Sequence, residues 1–283
     1  MDRLKDEQIC IRDLHTIDEF RRVVALQHDI WGFTDAADTV TMPVFVITTR
    51  RGGILLGAFD AHQRMVGFTF SLPGLKHGRS MQWSHMLGVV ASHRASGLGQ
   101  RLKLAQRARA LDAGLDLIEW TFDPLQAANA HLNFAKLGVI SDEYARDFYG
   151  ESTSALHRGT PTDRLVVQWR IREPHVARRL EPRAELLLRT AEIADAPVAN
   201  DVVEAAGQLR CASVRVDYDT PRVWLEIPAG FTEIQQRAPD CAGEWRFRTR
   251  ELFEAYFERR YRVVDFVLDK AHGRGRYLLA KSG

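Results

Sequence analysis

The sequence predicts a mixed α/β protein: one sheet of antiparallel and crossover-connected strands, dressed with helices. Three observations carry this expectation. Apolar runs of period two alternate with stretches of helical period along the first 172 residues. The runs Ile54–Phe59 and 65–70 are separated by the short polar turn Ala61-His62-Gln63-Arg64, as in an antiparallel hairpin. Farther on, strand, helix and strand follow one another from 117 to 143, the pattern of a crossover. The order is β-α-α-β-β-β-α-β-α-β-β, which fits a mixed sheet and not a purely parallel one.

The first strand is expected over 8–14, where Ile9 and Ile11 alternate. Thr16 with Glu19 three residues on forms a capping box that opens a helix running to Trp31, where Gly32 stops it. A second helical stretch follows Pro43 over 44–49. The hairpin comes next, then 73–80, whose two glycines read as a loop, and then a longer strand over 82–90. A helix is expected over 98–113, with Leu98, Leu102, Ala105, Ala108 and Leu111 as its apolar stripe. Arg101, Lys103, Arg107 and Arg109 lie mostly off that stripe, so this basic face reads as solvent-facing. Gly114 ends the helix and Leu117–Phe122 is a buried strand. Asp123-Pro124 turns the chain into a helix over 126–137, closed by Gly138, and strands follow at 139–143 and 165–171.

These elements make up an expected first domain, 1–172. Residues 173–198, rich in Arg, Glu, Ala and Pro, read as a connecting region with some helix. Residues 199–283 read as a smaller α+β lobe, with strands at 222–227, 263–268 and 276–280 and a helix at 245–261. Its strand–helix–strand–strand order echoes 117–171, so the lobe is either a degenerate half-repeat or a simple accessory lobe.

Composition narrows the function classes. The chain has 283 residues, 45% apolar and 27% charged, enough apolar material for a real core. A net charge of +2 makes no demand for nucleic acid. Cys10, Cys211 and Cys241 form no C-x-x-C pair, which argues against a zinc site and against a disulfide framework, and no metal is expected. The charged N-terminus lacks an apolar signal region, and no apolar run approaches the ~20 residues that span a bilayer. A cytoplasmic protein with no membrane partner is expected.

The strongest chemical signal lies in Arg94-Ala95-Ser96-Gly97-Leu98-Gly99, where a strand runs into a glycine turn that opens directly into a helix. The first N–H groups of a helix are unpaired, and with the helix dipole they attract phosphate. Gly97 and Gly99 remove side chains that would block a close approach, and Arg94 adds positive charge. A dinucleotide site would want G-x-G-x-x-G, but Leu102 stands where the third glycine belongs and a meander precedes the turn.

Arg94-x-x-Gly97-x-Gly99 resembles the pyrophosphate-loop signature of the GNAT N-acyltransferase superfamily, and the element order resembles that fold through Arg172. More narrowly, 84–89, 120–126 and 161–164 resemble a poorly characterised bacterial branch of predicted acetyltransferases. The resemblance implies a GNAT-like acyl-CoA N-acyltransferase fold. Its donor would be acetyl-CoA or another short acyl-CoA, succinyl included. Its acceptor would be a small-molecule amine such as an amino acid. The fourth and fifth strands would splay to admit the pantetheine arm against main-chain groups of Leu87, Gly88 and Val89. Gly97, Leu98, Gly99 and Gln100, with Arg94, would hold the pyrophosphate. The helix after the fifth strand often offers the family an Asn; here Ala127 holds that register, with Asn129 and Asn133 nearby.

For the chemistry, His85 on the strand entering the loop is the expected base, since an imidazole of pKa near 6.5 suits proton abstraction from an amine. A structural histidine is the competing reading. Many family members supply a Tyr acid on the later helix, but Phe134 stands there, leaving Tyr144 or Tyr149 as substitutes. Asp123 reads as a second base or as a turn cap, Ser84 as a hydrogen-bond donor near the acyl group, and Arg164 as a carboxylate clamp or a surface ion pair. Arg50 and Arg51 read as a solvated pair. The rival functions are a catalytically inactive acyl-CoA sensor and a protein-lysine acyltransferase. A homodimer is compatible with either.

Overall fold

The computed structural model describes residues 9–33, 35–150, 160–181, 195–205 and 207–282. It is a mixed α/β structure. The chain divides into two compact units, and the division falls inside a strand, between Trp120 and Thr121, upstream of the boundary expected at Arg172.

The first unit is a meander flanked by helices. Strands β1 (Cys10–Asp13), β2 (Ile54–Phe59), β3 (Met65–Lys76) and β4 (Arg79–Val89) pair antiparallel in sequence order. β5 (Leu117–Phe122) joins β4 in parallel through Gln82↔Ile118 and Trp83↔Glu119. Helices α1 (Ile17–Trp31) and α2 (Met42–Thr49) cover one face, where Phe20, Val23, Leu26 and Phe45 meet Leu55, Phe59, Phe68, Phe70 and Met86. Helix α3 (Leu98–Asp112) covers the other, with Gln106 Nε2 donating to Thr69 Oγ1 at 3.2 Å. The alternation Phe68, Thr69, Phe70 along β3 thus feeds two cores from one strand.

Local sequence explains most of these bounds. The expected capping box is present: Glu19 N donates to Thr16 Oγ1 and the Glu19 carboxylate accepts from Thr16 N. Gly32 closes α1 at φ 64°, a left-handed cap. The segment 73–80, expected as a loop, is instead the tip of a long hairpin. Strands β3 and β4 stay paired out to Lys76↔Arg79, and His77 and Gly78 turn the chain with φ of 50° and 77°. Two consecutive positive φ values match the twist of the flanking strands. Pro73 is tolerated because the β2 partner of β3 ends at Ile54↔Ser71, where a missing N–H costs nothing.

The second unit, from Thr121 on, carries antiparallel strands in the order β7-β6-β11-β12-β10. These strands are β6 (Ile140–Ala145), β7 (Arg164–Arg170), β10 (Arg222–Pro228), β11 (Tyr261–Asp269) and β12 (Arg274–Lys281). Helix α4 (Ala127–Ala130) continues as a π-helical stretch, His131–Leu137, that ends on Gly138 at φ 71°. The short helix α5 (Pro174–Arg179) lies in the expected connecting region, most of which falls outside the described residues. Helices α6 (Phe231–Arg237) and α7 (Pro239–Glu258) replace the single helix expected over 245–261. Pro239 sits in the first turn of α7, where its missing N–H is harmless, and Arg260 at φ 62° ends it before β11. A separate hairpin, β8 (Asn200–Ala205) with β9 (Gln208–Val214), was not expected from the sequence. Trp169, Trp245, Tyr256, Tyr261 and Tyr277 are fully buried in this unit. No described helix is long and apolar enough to cross a membrane.

Candidate functional site

The expected site residues fall into two sets, one in each unit. Ser84, His85, Leu87, Gly88, Val89, Arg94 and Gly97 to Gln100 belong to the first; Asp123, Asn129, Asn133, Tyr149 and Arg164 belong to the second.

In the first unit β4 leads into the glycine turn through a 3-10 turn, Ala91–His93. The turn is held by its own backbone. Arg94 Nε donates to Val89 O at 3.2 Å and Nη2 to Ile30 O at 3.4 Å, while Ser96 Oγ donates to His93 O at 2.7 Å. Ala95 and Gly97 take φ of 60° and 81°, so the chain reverses just before α3 begins. Gly97 is the N-cap and no side chain caps the helix. Arg101 N is already bonded to Gly97 O, so the N–H groups of Leu98, Gly99 and Gln100 are the first-turn donors left over. A side chain at Gly97 would meet nothing within 4 Å; the glycine answers to the backbone angle, and the space outside the turn is open. Arg101 Nη2 donates to Ile9 O at 2.8 Å, and Arg50 and Arg51 are exposed.

The strand before the turn has two irregularities. Its parallel pairing with β5 stops at Trp83↔Glu119, although β4 runs on for six residues through Val89. Beyond that point the edge of β4 toward β5 carries main-chain groups with no described ladder partner. β4 also bulges. Phe70 pairs with Met86 and Ser71 with Ser84, leaving His85 as the extra residue. His85 meets the Phe70 ring edge-on, with centroids 6.4 Å apart, on the α2 side of the sheet where Phe70 meets Phe45. No described residue hydrogen-bonds its imidazole. Burial holds its pKa below the ordinary 6.5, so the ring is neutral at neutral pH.

Ser84, one residue earlier, faces α3. Its Oγ lies 2.7 Å from Lys103 Nζ, and that ammonium also donates to Gln106 Oε1 at 3.2 Å and lies 3.6 Å from the centroid of the Trp120 ring. Lys103 is 3% exposed, whereas the sequence placed it on a solvent-facing helix side. Nothing local marks it: a lysine beside three arginines on one helix reads as surface, and only the sheet beneath reveals otherwise.

In the second unit, buried ion pairs dominate. Arg246 Nη1 and Nη2 donate to the two Asp123 oxygens at 2.7 and 2.8 Å, and Leu125 N caps Oδ1 at 2.9 Å. Burial raises the Asp123 pKa, but Arg246 and the cap outweigh it and hold the carboxyl below its ordinary value. A carboxylate so gripped is a weak base and a strong anchor. Both sequence readings of Asp123, chemistry and turn cap, meet here, and the cap is the one with a bond. Arg250 grips Asp163 in the same fork at 2.8 Å twice, and Tyr144 OH donates to Asp163 at 2.8 Å. Burial, with Asp163 beside it, pushes the Tyr144 hydroxyl well above its usual pKa, which suits a hydrogen-bond donor and not a proton donor. Arg164 is buried, donates Nη1 to Asp163 O at 3.1 Å and lies 5.3 Å from the Tyr149 ring centroid. Tyr149 itself is half-exposed and its OH lies 3.2 Å from Thr121 Oγ1. On the helical segment, Asn129 is exposed and Asn133 buried, while Phe134 is locked edge-on against Tyr277 at 5.7 Å.

No family model matches the chain, and no curated protein matches its sequence. Solved structures of similar architecture do. One is the NatC complex bound to Gag peptide and CoA, at 14% identity and TM-score 0.47, covering 58% of this chain and 98% of that one. A second is an acetyltransferase of the GNAT family from Streptococcus pneumoniae, at 16% identity and TM-score 0.46, covering 57% and 98%. A third is the ribosomal-protein-S18-alanine N-acetyltransferase from Escherichia coli, at 13% identity and TM-score 0.45, covering 58% and 94%.

Proposed function

We propose that the first unit binds an acyl-coenzyme A and that the chain is a GNAT-like N-acyltransferase acting on a small-molecule amine. One observation carries the reading: an uncapped helix N-terminus on a left-handed glycine stands directly after a strand whose outer edge is open. The residues fit such a donor. The N–H groups of Leu98, Gly99 and Gln100 suit a pyrophosphate, which the dipole of the 15-residue α3 also favours. Main-chain groups of Leu87, Gly88 and Val89 suit an extended amide-bearing arm. Gly88 itself is required on the opposite face, where a side chain would strike Ile30 and Trp31. Arg94 fixes the turn through Val89 O and Ile30 O while keeping its charge at the mouth.

His85 then takes the proton of the attacking amine, directly or through water. Its neutral state at neutral pH and its place in the β4 bulge support that role. Asn129, Asn133, Arg164 and Tyr149 belong to the proposed acceptor and arm contacts; of these Asn129 and Tyr149 are exposed enough to meet a ligand, and Asn133 and Arg164 are buried. Asp123 serves the fold.

The test is titration calorimetry with coenzyme A, followed by thiol release from acetyl- and succinyl-CoA across a panel of amines. Micromolar binding with amine-dependent thiol release is expected. Absence of binding would remove the reading. A sensor is the second reading, favoured by Phe134, a ring with no proton to give, at the position of the usual acid. Tight binding without turnover on any amine would select it. Acylation of lysines in partner proteins, read by mass spectrometry, would select a protein acyltransferase.

A further inference from the structure

Lys103 is a buried cation whose position ordinary packing does not require. β4 and β5 are last paired at Trp83↔Glu119, so the next step of the register would set Ser84 opposite Trp120. That is where the Lys103 ammonium lies, 2.7 Å from Ser84 Oγ and 3.6 Å from the Trp120 ring centroid. The side chain therefore occupies the apex at which the two strands part. Its remaining partner, Gln106 Oε1, is neutral, and Gln106 in turn bonds Thr69, whose Oγ1 donates to Met86 O at 3.2 Å. A buried polar chain thus backs the site on the α3 side, while His85 faces the α2 side.

We infer that Ser84 is the proton donor to the departing sulfur, with Lys103 as the positioning residue that supplies it, in place of the tyrosine that Phe134 replaces. The inference rests on the acyltransferase reading above. The amine nitrogen bonds to the acyl carbon, the carbon–sulfur bond breaks, and its electron pair stays on sulfur. Ser84 Oγ gives its proton to that sulfur and regains one from the Lys103 ammonium. His85 holds the proton lost by the amine, and both groups reset by exchange with solvent.

The surroundings favour an easily surrendered proton. Every carboxylate on the elements around α3 already has a basic partner: Asp13 of β1 has Arg109, Asp116 before β5 has Arg79, and Glu119 of β5 has Lys76 of β3. β2 contributes no charge, and His85 points from the opposite face of β4. On α3 itself the neighbours one turn away are basic or neutral, namely Gly99, Gln100, Gln106 and Arg107. Burial with no acid beside it lowers the Lys103 pKa well below the ordinary 10.5.

The experiment measures kcat against pH for the wild type, Lys103→Met and Ser84→Ala, with calorimetric coenzyme A affinity for each. Direct titration of the lysine by its 13Cε NMR shift accompanies it. In the wild type, kcat should fall on the alkaline side with the same midpoint as the NMR titration, because the donor must be protonated. Both variants should lose about 100-fold in kcat and lose that alkaline limb, while binding coenzyme A as the wild type does. A wild-type kcat and alkaline limb in both variants, or a lysine titrating at its ordinary 10.5, would overturn the inference and leave the acyltransferase reading intact. Should Lys103→Met not fold, Ser84→Ala and the NMR titration decide alone. A wild type that neither binds coenzyme A nor releases thiol would bring down both.

Discussion

His85 is the residue on which strand geometry and acid–base chemistry meet. As the extra residue of a bulge it is turned toward the α2 face without breaking the pairing on either side. Its pKa is lowered by burial, so the neutral, basic form persists to lower pH than a free histidine would allow. The acid limb of kcat/KM should therefore lie below 6.5, with activity lost as pH falls through the lowered value. His85→Gln should remove that limb and reduce kcat by about 100-fold or more, with coenzyme A affinity kept. A pH–rate profile unchanged in the variant would take His85 out of the mechanism. Asp123 makes the contrary case. Its worth lies in the fork to Arg246, which is fully buried. Asp123→Ala would strand that guanidinium and cost about 3–5 kcal/mol, read from urea unfolding at neutral pH. Because the folded carboxyl titrates below its unfolded value, this contribution is complete above about pH 3.9 and fades as pH falls through the folded pKa. The gap between wild type and variant should narrow in acid. From sequence, His85 stands out as a candidate because it lies four residues before a strand-to-turn junction. Lys103 and Arg246 do not, since burial of a cation depends on what lies across the fold and leaves no local pattern.

Among the elements, those with paired local signals were readable. α1 has an acceptor at its start, a reciprocal Glu19 and a left-handed glycine at its end, and its expected bounds agree with those observed. The β3–β4 tip misled because glycine and proline usually break strands; here they make a two-residue reversal and an unpaired edge. The β8–β9 hairpin mixes polar, charged and apolar residues and leaves much of both strands exposed, so no alternation of apolar residues announced it. The glycine turn was legible for a chemical reason. Gly97 holds a backbone angle that an L-residue adopts at a cost of about 1–2 kcal/mol, and it does so at the uncapped start of the 15-residue α3, shortly after the open β4 edge. Two substitutions separate shape from charge there. Gly97→Ala should weaken coenzyme A binding by up to about tenfold, through strain alone. Gly97→Glu adds bulk and a like charge facing the pyrophosphate and should abolish binding. Calorimetry that found Glu as well tolerated as Ala would mean that no anion sits at this turn.

At the scale of the whole molecule, the β4 and glycine-turn residues expected to meet the donor lie within the first unit, while Asn129, Asn133 and the buried ion pairs of Asp123 and Asp163 lie within the second. In the second unit, β6–β7 and β11–β12 sit back to back across the β6·β11 pair, each hairpin preceded by a helix, and β10 lies beyond β12. A half-repeat and a simple accessory lobe, the two readings of the sequence, are both compatible with this arrangement, which the sequence foreshadows through element order alone. The same division makes donor binding testable without any assumption about the acceptor. A ligand at one hundred times its Kd stabilises the folded unit by about 2.7 kcal/mol, which slows hydrogen exchange through full opening by about 100-fold. The first-turn amides of Leu98, Gly99 and Gln100 have no helical partner and should exchange rapidly in the absence of donor. Saturating coenzyme A should turn them into the most strongly slowed amides of the chain, with those of the β4 edge next. Exchange mass spectrometry over 84–101 reads this directly. Rapid exchange at 98–100 under saturating coenzyme A would show that, if the molecule binds at all, the helix terminus is not what holds it.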